Sequence, residues 1–208
     1  MNRNPEGNLV SNELSVPLNS AAIAAAPSIW LRNAGVVLAG SALAAVCAHI
    51  ALPLYFTPVP LTLAPFAVLL LGLLLTPRLA AATFLAYLAE GALGLPVFAP
   101  SPVVAGGLAH LFGPTGGYLL AYPLAAMLIS YLWRSVAADG FTAALVSAAA
   151  GDLVILSCGA LWLAVLTHAS AQSALTLAVL PFLPGDALKI AAAAALAAGF
   201  HRLRRHKA

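Results

Sequence analysis

Residues 33 to 77 contain no Asp, Glu, Lys or Arg, and the same holds for residues 91 to 133 and 153 to 185. A soluble fold of 208 residues has to turn charged and polar side chains toward water, and stretches this long leave it none to turn. A bilayer crossing, by contrast, asks for about 20 mostly apolar residues. The uncharged stretches therefore read as membrane-spanning helices. Composition excludes the soluble alternative: 7% of the residues are charged and 62% hydrophobic, where an ordinary soluble domain has roughly 25% charged. An all-α membrane protein is the expected class.

Breaks in the apolar pattern divide it into six expected spans, at about residues 33–52, 61–76, 78–95, 117–135, 142–168 and 185–203. Pro53, Pro58 and Pro60 mark a first loop, because proline lacks the helix donor and biases its predecessor toward extended backbone. Pro77-Arg78 makes a short turn, and residues 96 to 117 carry too many prolines and paired glycines to be one regular helix. The stretch 169 to 184 leaves room for an additional short helix. Residues 1–30 are expected to be a polar, disordered tail without a signal-peptide pattern, residues 31–204 one six-helix domain, and residues 205–208 a basic tail.

Eight of the nine basic residues (Arg3, Arg32, Arg78, Arg134, Arg202, Arg204, Arg205 and Lys207) fall on one side of this layout. By the positive-inside rule that side is cytoplasmic, and an even number of spans places both termini there. A multi-pass protein of the bacterial cytoplasmic (inner) membrane follows. Basic residues scattered in this way form no nucleic-acid-binding face. Cys47 and Cys158 sit in apolar runs and read as small buried side chains, not as a disulfide.

The ninth basic residue, Lys189, stands near the opposite face. It follows Asp186 by three positions, which places both on one side of a helix. Two readings fit: a helix-capping acid with a local salt bridge, or a ligand site offering an anionic acceptor and a cationic donor, because charges within a bilayer usually face a cavity or each other. Glu90 and Asp152 pose the same choice between a ligand contact and an interhelical hydrogen bond. His49, His110 and His168 have no metal-ligand spacing and read as packing or interfacial residues. Gly40, Ala44 and Ala48 recur every four residues, a stripe suited either to packing inside the bundle or to docking a partner subunit. Tyr87, Phe98, Tyr118 and Trp162 could wall a flat ligand. No phosphate-binding loop ends in Gly-Lys-Ser/Thr, so an ATP-driven step needs a partner. No nucleophile stands beside a base, which argues against an enzyme; an acid-base role for Glu90, Asp152 or a histidine is the alternative.

Four motifs occur in order: Pro58-Val59-Pro60-Leu61-Thr62; Tyr87 followed by Gly91-Ala92-Leu93-Gly94-Leu95-Pro96-Val97-Phe98; Gly113-Pro114-Thr115-Gly116-Gly117-Tyr118; and Pro181-Phe182-Leu183-Pro184-Gly185-Asp186 with Lys189. Together they resemble the BioY family of biotin transporters over about residues 33 to 203. The resemblance implies a substrate-binding (S) component of an energy-coupling factor (ECF) transporter. Such a protein is a six-helix bundle that holds biotin near the outer face under mobile loops, without a cofactor. It implies partners: a transmembrane coupling subunit and ABC-type ATPases, with a homo-oligomer left open. It also implies that Asp186 and Lys189 hydrogen-bond the biotin head, a charge-assisted contact. The glycine-rich loop 113–118, with Thr115, Gly116 and Gly117, and the first loop, 53–60, then supply walls and a lid, Tyr87, Phe98 and Tyr118 supply apolar contact, and Gly40, Ala44 and Ala48 dock the coupling subunit. Ala64-Pro65 stands where the family pattern has a polar Gln, and residues 99 to 103 lack an expected amide side chain. Another vitamin, thiamin or riboflavin, is the competing ligand, since fold alone does not fix a substrate.

Overall fold

The computed structural model describes residues 20–101, 104, 106–136 and 140–205, with side chains described for those between 29 and 203. The elements are α1 (Ser20–His49), β1 (Ala51–Leu52), β2 (Leu61–Thr62), α2 (Ala64–Leu74), α3 (Pro77–Ala92), α4 (Leu108–Phe112), α5 (Gly116–Ser135), α6 (Phe141–Thr167), α7 (Ala171–Ala178) and α8 (Leu183–Arg205).

Helices stand at all six expected positions, but among the described residues only four are long and apolar enough to cross a membrane: Ile29–His49, Gly116–Ser135, Phe141–Thr167 and Leu183–Leu203. The other two are shortened by identifiable signals. Residues 61 and 62 are drawn into strand pairing and Pro65 occupies the first turn of α2, while Leu75 turns extended two residues before Pro77. The 11 residues of α2 thus rise only about 16 Å, against a hydrocarbon core of about 30 Å. Pro77 opens α3 without losing a bond, since first-turn amides have no helical acceptor. Gly94, at φ +95, takes the chain into its turn beyond α3.

Two features differ from the all-α expectation and from the expected tail. Ala51 pairs with Thr62 and Leu52 with Leu61 in a two-residue antiparallel ladder that closes the first loop. Helix α1 starts at Ser20, ahead of the boundary expected near residue 30, because residues 21–26 are mostly alanine, the strongest helix former. Residues 1–19 and 206–208, which carry most of the expected tails, lie outside the described residues. The short helix expected between 169 and 184 is α7. His168 ends α6 in the left-handed region, and the Ser170 hydroxyl then caps α7 by accepting from the Ser173 amide.

The interior has two apolar layers. One gathers Phe84, Tyr87, Tyr118, Tyr122, Ile155 and Phe182; the other gathers Leu69, Leu73, Ile129, Trp133, Ala148 and Ala194. Helix α2 serves both, with Ala67 and Val68 in the first and Leu69 and Leu73 in the second. Helices approach closely because small residues face large ones, as in membrane bundles generally. A Cβ on Gly117 would fall 2.2 Å from the Trp162 Cβ and 2.6 Å from the Cys158 carbonyl oxygen, so α5 and α6 meet there only through glycine. Large apolar side chains such as Leu124, Leu153, Leu161, Val165 and Leu196 point outward from the four long helices, as a lipid-facing surface requires.

The stripe of Gly40, Ala44 and Ala48 turns inward, which corrects its expected role as a docking surface. A Cβ on Gly40 would lie 2.7 Å from the Thr83 Cγ2, and Ala44 and Ala48 are buried. Small side chains are used there to bring α1 against α3.

Candidate ligand-binding site

At the end of the bundle where the first loop and α7 meet lies a cavity with about 590 Å³ of space, part of it continuous with solvent. Its lining comes from nearly every element. Ala48 closes the α1 side, Val59, Pro60 and Thr62 the first loop, and Ala64 and Pro65 the start of α2. Tyr87 enters from α3, Ala99 and His110 from the segment around α4, and Thr115, Tyr118, Leu119 and Tyr122 from α5. Asp152, Ile155 and Leu156 come from α6, and Phe182, Asp186 and Lys189 complete the wall at α8.

The charged end is built by the start of α8. Asp186 lies in its first turn, where free amides favour an acid, and its own amide bonds the Phe182 carbonyl at 2.8 Å. One turn later the Lys189 Nζ reaches the Asp186 Oδ1 at 2.8 Å, with the two residues 8% and 3% exposed. Asp186 thus stands in the first turn of α8 and, ion-paired with Lys189, borders the cavity. Asp152 is 4% exposed, lines the same cavity, and its Oδ1 has no hydrogen-bond partner among the described residues.

The aromatic walls also carry tethers. The Tyr87 hydroxyl donates to the Val97 carbonyl at 3.1 Å and the Tyr118 hydroxyl to the Ala178 carbonyl at 2.6 Å, so each ring both lines the cavity and pins a flanking segment. The first loop is held from the other side by Thr57, whose hydroxyl donates to the Leu177 carbonyl of α7 at 2.9 Å. Burial pushes the His110 imidazole below its ordinary pKa of 6.5, favouring the neutral ring in this wall.

Several expected contacts lie behind the wall. Phe98 packs edge-on to Tyr87 at 5.3 Å and against His110 at 5.2 Å, over Gly91, whose lack of a side chain makes room for the ring. Phe98 lines a second cavity of about 640 Å³, together with His49, Leu95 and Ser101. Ala99 and His110 border both cavities. Gly116, Gly117 and Trp162 are packing elements: the Trp162 Nε1 donates to the Gly113 carbonyl at 2.9 Å, and the two glycines let α5 approach that ring and its helix. Glu90 accepts a short hydrogen bond from Ser41 across the α1–α3 contact and does not line the cavity. His168 is the left-handed residue ending α6. Among the described residues no cluster of His, Cys, Asp and Glu could hold a metal ion, and Cys47 and Cys158 are free.

Sequence reasoning missed Tyr122, Ile155 and Phe182. A signal was present for the first two: Tyr122 follows Tyr118 by four and Ile155 follows Asp152 by three, the spacings that repeat a helix face. Phe182 lies within the fourth motif, beside the charged residues that dominate it.

Comparison with known proteins agrees on the family. Residues 17–206 match the sequence pattern of the BioY family. A protein of Pyrococcus horikoshii described as a probable biotin transporter BioY is 42% identical over 140 residues, covering 67% of this chain and 79% of its own. The biotin transporter BioY of Thermotoga maritima is 35% identical over 163 residues, covering 78% of this chain and 92% of its own. Among solved structures, the S-component for biotin from an ECF-type ABC transporter, at 24% identity, superposes with a TM-score of 0.76 over 86% of this chain and 93% of that one, a likeness of fold. On the strength of a match across almost its entire length, this multi-pass membrane chain belongs to the BioY family.

Proposed function

We propose that the chain takes up biotin, capturing it in the cavity between the first loop and α8 and delivering it inward without covalent chemistry. The observation that carries this reading is the buried Asp186–Lys189 pair at one end of an otherwise aromatic and aliphatic cavity, in a chain whose relatives are described as biotin transporters. A carboxylate accepts ureido N–H bonds, and an ammonium donates to the ureido oxygen or to a carboxylate. Tyr87, Tyr118, Tyr122 and Phe182 then enclose the fused rings. Thr115, with the loop before α5, borders the same space.

The reading extends to topology and partners. With the two short helices α2 and α3 counted as crossings beside the four long ones α1, α5, α6 and α8, Arg32, Arg78, Arg134 and Arg202 fall on one side, the cytoplasmic one by the positive-inside rule. Both termini are then cytoplasmic and the cavity faces outward. The fold likeness to an S-component supports a transmembrane coupling subunit and ABC-type ATPases as partners.

Titration calorimetry of the purified chain with biotin tests the proposal, with thiamin and riboflavin as competitors. Tight biotin binding unaffected by the other two is the expected result. A folded protein that binds no biotin, or binds another vitamin better, overturns it.

A further inference from the structure

The Asp186–Lys189 pair uses one carboxylate oxygen on the ammonium, and the cavity still contains a second buried carboxyl group. Asp152 sits on α6, is 4% exposed and lines the cavity, and its Oδ1 has no hydrogen-bond partner among the described residues. A buried polar atom without a partner is costly, so a ligand N–H placed there recovers a contact that the folded chain alone does not make. The other polar positions expected from the family pattern give no help, since Ala64, Pro65 and Ala99 present only apolar surface to the cavity. Two tyrosine hydroxyls are already engaged on the Val97 and Ala178 carbonyls.

We propose that Asp152 is the second acceptor for the ligand head, so that the cavity selects a cyclic urea by its two N–H groups, one to Asp186 and one to Asp152. This rests on the biotin reading above and assigns the discriminating residue within it. A ligand with only one free N–H leaves one buried carboxylate oxygen without a donor, which is a stronger basis for rejection than a missing apolar contact.

The test is a binding cycle by calorimetry on the purified full chain. The ligands are biotin and the two biotin derivatives that carry a methyl group on one or the other ureido nitrogen. The proteins are the wild type, Asp152→Ala and Asp152→Asn. Asp152→Ala is expected to weaken biotin about 10-fold, the loss typical of a buried hydrogen bond, with Asp152→Asn, which keeps an acceptor oxygen, recovering part of it. One methyl derivative, already weak on the wild type, should lose little more on Asp152→Ala, because methyl and substitution remove the same bond. Unchanged biotin affinity in a folded Asp152→Ala, or additive losses for both derivatives, overturns the proposal. If neither variant folds, the wild type decides: undiminished binding of either methyl derivative overturns it, and loss with both supports it. A wild type that binds no biotin defeats the biotin reading as well, whereas biotin binding indifferent to Asp152 defeats this inference alone.

Discussion

At the scale of single residues, the chemistry of the site rests on a pair that the sequence made visible by exception. Lys189 is the one basic residue apart from the eight that the sequence pattern groups together, and its spacing from Asp186 places both on one helical face. Removing either partner strands the other in a buried setting, which is worse than never having built the pair. Asp186→Asn and Lys189→Ala are each expected to weaken biotin by about 1.5–3 kcal/mol, or roughly 10- to 150-fold, by calorimetry; affinity unchanged from the wild type in both variants would leave the pair a structural cap. His110 makes a second prediction. Its pKa is lowered by burial from 6.5, so the neutral ring contributes stability that is complete above the ordinary value and is lost as the pH falls through it toward the lowered one. Thermal unfolding of the wild type in detergent should therefore drop below about pH 6.5 more steeply than that of His110→Gln. Other residue roles were not legible, because they depend on which neighbour arrives from far along the chain. Glu90 and Asp152 look alike in sequence, yet one meets Ser41 and the other meets a cavity.

At the scale of elements, position was easier to read than length. Uncharged runs and prolines located six helices, but strand pairing at residues 51–62 and the early stop at Leu75 cut α2 to 11 residues, and neither has a strong local signature. The glycine motifs were legible as motifs and opaque as mechanics. Gly91 receives the Phe98 ring and Gly117 receives the Trp162 side chain, facts that require both partners in three dimensions. Likewise the small-residue stripe on α1 could have faced either way, and only the position of Thr83 shows that it faces in. The first loop is an element held at its tip by one side-chain bond, from Thr57 to the Leu177 carbonyl. A bond of this kind is worth about 1 kcal/mol net, so Thr57→Val should raise the biotin dissociation rate about fivefold with little change in overall fold. Stopped-flow displacement measures it; an unchanged rate would show that this bond does not restrain the loop.

At the scale of the whole molecule, orientation in the bilayer is the property most exposed to test. In a background with Cys47 and Cys158 replaced, a cysteine at Ser170, between α6 and α7, should react with an impermeant maleimide added to intact cells. One at Gly140, before α6, should react only after the membrane is opened. The reverse pattern would invert the bundle and place the cavity on the cytoplasmic side. The cavity itself draws on residues from Ala48 to Lys189, that is, from almost the full span between the first and last helices. Synthesis and membrane insertion proceed from the N-terminus, so every earlier crossing enters the bilayer before α8 brings the ion pair. A chain stopped short of Lys189 has Asp152 in place but not the ammonium closest to it in function. Ligand binding is therefore a property of the finished polypeptide only, and biotin added during biogenesis would stabilise completed copies over truncated ones without any separate inspection step.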